Sequence, residues 1–258
     1  METITSRDNA KIKYACRLRE EERLRNETNS FFAEGPKVCL ELAHACTIQA
    51  LYITEAALAR NEAFARFAGV TTLVMPHVAE KLAATRTNQG VFAVFAAPQY
   101  KLEEVLATAR RVLALENVQD PGNVGTLLRS AAAFGFDAVL LSRDCAAPFA
   151  PKTLRASVGA AGRLPVLTVP YLPAAVGVLR ARGVRCLATA LYDAKPLDEA
   201  GRGSAQGVCI VVGSEGQGLS EDAIAACDMA VKIPMTDKIE SLNAGVAGSV
   251  LLWHFRGV

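Results

Sequence analysis

Apolar residues from position 110 onward come in short, unbroken runs that are separated by glycine-containing and polar segments. Runs of this kind without polar alternation are typical of strands in a parallel sheet that is covered on both faces. Stretches with helical periodicity lie between them. The pattern predicts βαβ units, with strands at 111–116, 138–142, 164–169, 184–191, 208–213 and 230–233 and helices at 123–134, 151–161, 172–182, 220–226 and 241–255.

The first part of the chain shows a similar but less regular alternation of helical and apolar segments. A charged helix is predicted over 8–27, and further helices over 36–45, up to about 68, and over 78–84. Strands are predicted at 31–35, 50–53, 71–75 and 91–96. This alternation indicates a small α/β unit, and Pro98 marks its end. We therefore expect a first domain over 1–97, a linker over 98–109 and a second domain over 110–258.

Composition narrows the class of protein. The 258 residues are 51% hydrophobic, which is enough for two modest cores. The charged start has no apolar stretch of signal-peptide length, and the longest apolar stretch, 242–255, is shorter than the roughly 20 residues of a membrane helix. We therefore expect a cytoplasmic protein that does not interact with membranes. The seven cysteines form no CxxC pair, which argues against a disulfide framework and against a metal site.

The net charge of +2 gives no overall basic field, so any affinity for nucleic acid must come from local patches. The clearest candidate patch is the first helix, where basic residues such as Arg17, Arg23 and Arg25 outnumber the acidic ones. On charge alone, a solvated helix face with internal ion pairs explains these residues equally well.

The first of three polar blocks is ENVQDPGNVGTLLRS, residues 116–130. Asp120, Pro121 and Gly122 predict a tight turn after a strand, and Asn123 lies where a helix N-cap is expected. Free N–H groups in such a turn can face an anion. Arg129 follows in the second turn of the helix, where its side chain could reach the sheet edge or simply lie on an exposed face.

The second block is VVGSEGQGLS, residues 211–220, which resembles a phosphate-binding loop of the form G-x-x-x-x-G-K-S. Leu219 occupies the lysine position and Glu215 brings a carboxylate into the loop, so a triphosphate would be held poorly. The hydrolase pattern G-x-S-x-G also fails, because Val212 occupies the first glycine position.

The third block is IPMTDKIESLNAGVAG, residues 233–248, which leads into the last helix. Ser241 is a natural N-cap, and Asn243 could satisfy further backbone donors. The alanines and glycines that follow allow another backbone to approach closely, so this helix is expected to pack tightly, for example across a dimer.

The three blocks in this order resemble the motifs of the SpoU (TrmH) branch of the SPOUT methyltransferases, which methylate the ribose 2′-hydroxyl of structured RNA. The second block fits the family pattern V-G-x-E-G-x-G-[LI] at every position, and residues 148–160 fit P-x-x-P-K-x-x-R-x-S-x-G-A. The third block departs from the pattern at Asp237, near which the family commonly has glycine. The segments FFAEG at 31–35, preceded by Arg25, and TNQGV at 87–91 resemble the family's N-terminal substrate-binding domain.

This resemblance implies an α/β protein in which a small, ribosomal-protein-like α/β domain precedes a parallel-sheet SPOUT domain with a deep trefoil knot. It implies methyl transfer from S-adenosylmethionine to a ribose 2′-hydroxyl, with ribosomal RNA as the first candidate substrate, and a homodimeric enzyme without a metal. Arg129 would be the principal catalytic residue, oriented together with the ribose by Asn123, Glu215, Ser241 and Asn243.

The resemblance also implies two sets of binding residues. The cofactor contacts would come from strand ends and loops, at Leu187, Ala188, Thr189, Ala190, Gly213, Glu215, Gly218, Ile233, Met235 and Leu242. RNA contacts would come from Arg17, Arg23, Arg25, Lys152 and Arg155.

Three other interpretations have to be weighed. A transfer RNA 2′-O-methyltransferase and a non-catalytic RNA-binding or assembly protein with the same fold are both compatible with the motifs. A dinucleotide-binding oxidoreductase is disfavoured, because no G-x-G-x-x-G follows an early strand.

Overall fold

The computed structural model describes residues 2–190, 193–201 and 207–257. The strands are β1 (Thr3–Ile4), β2 (Ser30–Glu34), β3 (Ile48–Ile53), β4 (Thr71–Val74), β5 (Val91–Ala96), β6 (Arg111–Leu115), β7 (Ala138–Leu141), β8 (Val166–Thr168), β9 (Arg185–Thr189), β10 (Lys195–Pro196), β11 (Val208–Val212) and β12 (Met229–Lys232). The helices are α1 (Ala10–Glu20), α2 (Glu22–Thr28), α3 (Pro36–Leu42), α4 (Glu55–Arg60), α5 (Pro76–Leu82), α6 (Leu102–Thr108), α7 (Pro121–Ala133), α8 (Pro151–Ser157), α9 (Leu172–Ala181), α10 (Glu221–Ala226) and α11 (Ala244–His254).

The chain packs as two compact units. The first comprises Met1–Gln99 and Ala147–Arg163, and the second comprises Tyr100–Ala146 and Leu164–Val258. Residues 98–109, expected as a linker, contain helix α6, and Leu106 on this helix is buried in the core of the second unit. This part of the expected linker is therefore an ordered element of the second unit.

The described strands of the second unit form a seven-stranded sheet in the order β10-β12-β9-β11-β6-β7-β8. Every neighbouring pair is parallel. Strands β7 and β11 are buried along their whole length, which confirms the parallel sheet expected from the apolar runs. Helices α6 and α9 contribute to the core on one face, with Leu106, Val176 and Leu179 packed among strand residues.

The first unit is built around a mixed five-stranded sheet in the order β1-β4-β3-β5-β2. Strand β5 lies between β3 and β2 and is antiparallel to both, whereas β1, β4 and β3 run parallel. Helices α1 and α5 pack on one face through buried residues that include Ile12, Leu18 and Leu82. The small α/β unit expected from the sequence is confirmed.

The stretch 147–163 belongs to the first unit although it lies far along the chain. The ring of Phe149 stacks on that of Phe31 at 4.6 Å between centroids, and Arg163 forms an ion pair with Glu41. A Cβ atom on Gly162 would lie 2.8 Å from the sulfur of Cys46, so this backbone passes close to the first unit's own residues. Tertiary contacts of this kind leave no periodic signal in the sequence.

Several predicted helices are shorter than the pattern indicates, and the one expected up to about 68 ends at Arg60. The helix expected over 8–27 breaks at Glu21, whose backbone is extended (φ −99°, ψ 108°), so α1 and α2 are separate. The helix expected over 151–161 ends at Ser157, because Val158 (φ 52°) and Gly159 (φ 80°) adopt the left-handed conformation that terminates helices.

The remaining differences concern boundaries and topology. Strands β1 and β10 and helix α6 escaped the sequence analysis, and the predicted strand 184–191 is observed as Arg185–Thr189, with Leu191 outside the described residues. The trefoil knot stays a prediction. None of the helices in the described ranges is both long and apolar enough to cross a membrane.

The ring stack between Phe31 and Phe149 is expected to fasten the 147–163 stretch to the first unit. Aromatic pairs contribute about 0.5–1.5 kcal/mol beyond the area they bury, so a double-mutant cycle of Phe31→Leu and Phe149→Leu should give a coupling of that size in urea unfolding. A matched cycle of Phe64→Leu with Phe149→Leu should give none, because the recorded ring contact of Phe64 is with Phe67. Equal coupling in both cycles would contradict this attachment.

Candidate active site

The carboxyl ends of four adjacent parallel strands meet at one edge of the second unit's sheet. The strand pairing places Val231 beside Thr189, Ala188 beside Val211, and Val212 beside Leu115. The segments that leave β12, β9, β11 and β6 therefore start side by side. Ligands of open parallel sheets bind outside this edge, where the strand order reverses.

The segment that leaves β11 folds back on itself as a tight loop. Ser214 and Gly218 exchange two backbone hydrogen bonds of 3.2 and 3.0 Å, and Gly218 has a φ of 70°. A Cβ atom on Gly213 would lie 2.3 Å from the backbone of Gly218, so only glycine fits at this position without moving the loop. The loop thereby holds Glu215 in a defined place.

Glu215 accepts hydrogen bonds from two other parts of the second unit. Its Oε1 accepts hydrogen bonds from Nδ2 of Asn123 at 2.8 Å, Nδ2 of Asn243 at 2.5 Å and the backbone N–H of Ala244 at 3.0 Å. Asn243 Nδ2 also donates to Oδ1 of Asn123 at 2.9 Å. One carboxylate oxygen thus joins all three sequence blocks.

The helix caps differ from the sequence predictions. Asp120, not Asn123, caps α7, and its Oδ1 accepts the N–H of Asn123 at 2.8 Å. Asn243, not Ser241, caps α11, and its Oδ1 accepts the N–H of Val246 at 3.2 Å. Because Asp120 provides the cap, the side-chain amide of Asn123 is free to bind Glu215.

Two of the five predicted catalytic residues lie outside this cluster of hydrogen bonds. Arg129 is on the exposed face of α7, and its guanidinium makes no hydrogen bond or ion pair with any residue in the described ranges. Ser241 is exposed before α11 and likewise has no hydrogen-bond partner there. Asn123, Glu215 and Asn243 are brought together, whereas Arg129 and Ser241 remain available to a ligand.

Two family models match this chain. Residues 110–253, more than half of the chain, match the SpoU rRNA Methylase family, and residues 9–93 match the MRM3-like substrate binding domain. The chain belongs to the SpoU rRNA methylase family. It is 34% identical over 261 aligned residues, covering 100% of both chains, to the 23S rRNA (guanosine(2553)-2'-O)-methyltransferase RlmP of Bacillus subtilis.

Solved structures give the same result for the SpoU fold. An AdoMet-bound rRNA methyltransferase from Sinorhizobium meliloti superimposes with a TM-score of 0.86 at 25% identity, covering 98% of this chain and 97% of that one. The SpoU methyltransferase AviRb from Streptomyces viridochromogenes, in complex with AdoMet, has a TM-score of 0.82 at 23% identity, over 96% and 97% of the two chains. The α/β SPOUT fold expected from the sequence motifs is therefore confirmed.

The residues expected to contact S-adenosylmethionine fall into two groups. The side chains of Leu187 and Ala188 are fully buried within the sheet. The other members lie at or beyond the strand ends, where Gly213 is buried, Gly218 and Met235 are exposed, and four are half-buried: Thr189, Ala190, Ile233 and Leu242. Apolar side chains beside strand-end backbone suit a nucleoside, so this edge fits the methyl donor that SpoU enzymes use.

In the part of the chain that the structure describes, no three His, Cys, Asp or Glu side chains are grouped so that they could hold a metal ion.

Tyr171, whose hydroxyl donates to Asp222 at 2.7 Å, has its pKa raised by that hydrogen bond.

The predicted RNA-binding arginines of the first unit differ in their surroundings. Arg17 and Arg23 are exposed and form ion pairs with Glu21 and Glu27 one helical turn away. Arg25 is half-buried, and its NH1 donates to the carbonyls of Leu18 and Arg19 at the end of α1, while burial lowers its pKa. Arg25 therefore has a structural role at the α1–α2 junction.

The two RNA-binding candidates on α8 also differ. Lys152 is exposed, with no hydrogen bond or ion pair in the described ranges. Arg155 is half-buried, and one of its terminal nitrogens, NH1, is buried without a hydrogen-bond partner among those residues.

One polar residue of the SpoU site was missed by the sequence analysis. Glu116 follows β6, is only 7% exposed, and accepts the backbone N–H and the hydroxyl of Ser220 at 2.7 and 2.8 Å. The signal was its position as the first letter of ENVQDPGN, because a glutamate at the end of an apolar strand must be paired if it is buried.

Gly213→Ala is expected to disturb the loop that carries Glu215, because the new methyl group would meet the backbone of Gly218 and Leu219. Overpacking against backbone costs about 1–3 kcal/mol, which should lower the urea midpoint and weaken S-adenosylmethionine binding in calorimetry. Gly216→Ala in the same loop is the control, since nothing lies within 4 Å of its Cβ position. Equal behaviour of the two variants would refute the tight loop.

Proposed function

We propose that this protein transfers a methyl group from S-adenosylmethionine to the ribose 2′-hydroxyl of a structured RNA, with ribosomal RNA as the substrate. The observation that carries the proposal is the cluster of Asn123, Glu215 and Asn243, which joins the three family motifs at the ligand-binding edge of the sheet. Glu215 and Asn243 in this cluster are exposed, so a ligand can reach them.

Ribosomal RNA is favoured over transfer RNA by two similarities. The relative from Bacillus subtilis that matches over its whole length is named for methylation of 23S rRNA. The first unit matches a substrate-binding domain over residues 9–93. A ribosomal RNA substrate would place the protein in the cytoplasm, where ribosomes are assembled, and transfer RNA remains the alternative that the assay must include.

Glu215 and the two asparagines are proposed to orient the site. The Oε1 atom of Glu215 is occupied by three donors, whereas Oε2 accepts no hydrogen bond from residues in the described ranges and is free to face a ligand. The fixed geometry contributes to rate because a group held in place does not have to be ordered during the reaction.

Arg129 is proposed to stabilise the charge that develops on the ribose oxygen and on the neighbouring phosphate. A guanidinium offers five N–H donors and no acceptor, so electrostatic stabilisation suits Arg129 better than a role as base. It lies exposed on α7, whose first turn includes Asn123. It has no hydrogen-bond or ion-pair partner in the described ranges. Ser241, in the third sequence block, is proposed to assist Arg129 in this role.

S-adenosylmethionine supplies an electrophilic methyl group when it is bound. The proposed contacts are the backbone at Thr189, Ala190, Gly213 and Gly218 and the side chains of Ile233, Met235 and Leu242. Leu187 and Ala188 would contribute indirectly, by holding strand β9 in the sheet.

RNA is proposed to bind the first unit through exposed basic groups. Arg17, Arg23 and Lys152 present charged ends to solvent, and the surface ion pairs of the two arginines are weak enough to be exchanged for phosphate.

The protein is also proposed to act as a homodimer. Val246, Val250 and Trp253 form an apolar stripe along α11 and are 49%, 37% and 50% exposed. Their spacing places all three side chains on one helix face, and such stripes typically mark protein contacts. The opposite face of α11 packs on α7 through Gly245 and Gly248.

Arg129→Ala is expected to lower kcat for RNA methylation by about 10²–10³-fold, the typical effect of removing one donor to a developing oxyanion. Affinity for S-adenosylmethionine should be largely kept. The measurement is transfer of a labelled methyl group to ribosomal and transfer RNA, with mapping of the modified ribose.

Arg180→Ala is the matched control, because Arg180 is an arginine of the same unit that pairs with Asp228 on the surface. It should leave methyl transfer unchanged. A fully active Arg129→Ala variant would refute the role given to Arg129, and transfer only to transfer RNA would replace the proposed substrate.

Val250→Asp is expected to dissociate the dimer, because it places a charge in the middle of the apolar stripe. Central interface positions typically contribute about 2 kcal/mol or more, which corresponds to a roughly 30-fold rise in Kd in analytical ultracentrifugation. Val178→Asp is the control, since Val178 lies on α9 with a similar exposure of 47%. Equal sedimentation of both variants and the wild type would rule out this face.

A further inference from the structure

Glu116 is a buried carboxylate with both oxygens engaged by a single residue. Oε2 accepts the backbone N–H of Ser220 at 2.7 Å, and Oε1 accepts its hydroxyl at 2.8 Å. The side chain is 7% exposed, and the backbone N–H of Glu116 donates to the carbonyl of Val212 at 2.9 Å. Both side-chain oxygens of Glu116 are therefore paired with hydrogen-bond donors of Ser220.

Ser220 is the point at which the tight loop ends. Its hydroxyl accepts the N–H of Ala223 at 3.2 Å and so caps α10. The loop is fixed at its other end by Gly213, which follows β11 and lies against Gly218. Glu116 therefore fixes the second end of the loop that carries Glu215.

The segment that follows β6 and the loop that follows β11 are joined at two places. Glu116 binds Ser220 at the end of the loop, and Asn123 binds Glu215 within the loop, closer to β11. A rigid pair of loops needs both joints, because with one joint the loop could pivot about it. At the Glu116–Ser220 joint the side chain of Glu116 is buried, whereas Ser220 and Glu215 are both exposed.

We infer that Glu116 is a positioning residue for methyl transfer, which acts by fixing the Glu215 loop through Ser220. The inference rests on the proposed function only for its effect on catalysis. Glu116 has no hydrogen bond to Asn123, Glu215 or Asn243 among the described residues, so its influence on them passes through the loop.

The first measurement is hydrogen exchange of the 213–220 amides in the free protein, followed by mass spectrometry. Glu116→Ala and Ser220→Ala should both speed exchange in this segment, and Glu116→Gln should do so less, because its amide oxygen still accepts one hydrogen bond. The matched control is Glu34→Ala. Glu34 is equally buried at 7% exposure and binds the N–H of Ala84 and the hydroxyl of Thr85 in the first unit, so exchange at 213–220 should not change.

The second measurement is a kinetic double-mutant cycle. Glu116→Ala should lower kcat by about 100-fold, the scale expected for a small displacement of reacting groups. In the background of Glu215→Ala the same substitution should have little further effect on kcat, although it should lower the unfolding midpoint in both backgrounds. Glu116→Gln should recover most of the activity.

The outcomes separate the two proposals. Unchanged exchange in all the Glu116 and Ser220 variants, or faster exchange with full methyl transfer, would overturn the positioning role. Additive losses in the cycle would do so too, because they would mean that Glu116 acts independently of Glu215. If Glu116→Ala does not fold, Ser220→Ala and Glu116→Gln decide the matter. A wild-type protein that methylates neither RNA would remove the proposed function, and with it the catalytic part of this inference, while exchange would still show whether Glu116 holds the loop.

Discussion

The organisation of the site depends on one carboxylate oxygen. Oε1 of Glu215 lies within 2.5–3.0 Å of three donors that come from α7 and from the start of α11. An isolated glutamate on an exposed loop would be mobile, but three hydrogen bonds from two helices fix it. The same bonds explain the glycine at 245, where a Cβ would lie 3.1 Å from the side-chain oxygens of both asparagines. A small residue is needed there so that α11 can approach α7.

Each of the two units uses a buried glutamate at a strand end to fix a loop. Glu34 is the last residue of the apolar strand β2 and binds one backbone N–H and one threonine hydroxyl. Glu116 directly follows β6 and binds one backbone N–H and one serine hydroxyl. In both cases the carboxylate is buried with its oxygens satisfied, which avoids the cost of an unpaired buried charge. Buried glutamates at strand ends therefore hold the segments that carry the family motifs.

The sequence predicted the strands better than the helix ends and the site. Apolar runs such as 91–96 and 208–213 identify strands because burial on both faces requires them. Caps depend instead on which oxygen reaches which N–H, and Asp120 and Asn123 compete for that role with side chains of equal cap propensity. The break at Glu21 and the placement of 147–163 in the first unit depend on tertiary contacts, which no local pattern encodes.

The contrast among the arginines follows from the same principle of satisfied donors. Arg19 donates to three carbonyls at the end of α5, and Arg25 donates to two at the end of α1, so both have become part of the fold. Arg129 has no such partner in the described ranges, although it lies on a helix whose first turn is fixed by Asp120 and Glu215. The fold uses arginines as helix-end donors elsewhere, whereas Arg129 is unpaired among the residues that the structure describes. Its five donors are therefore available to an anion that arrives with the substrate.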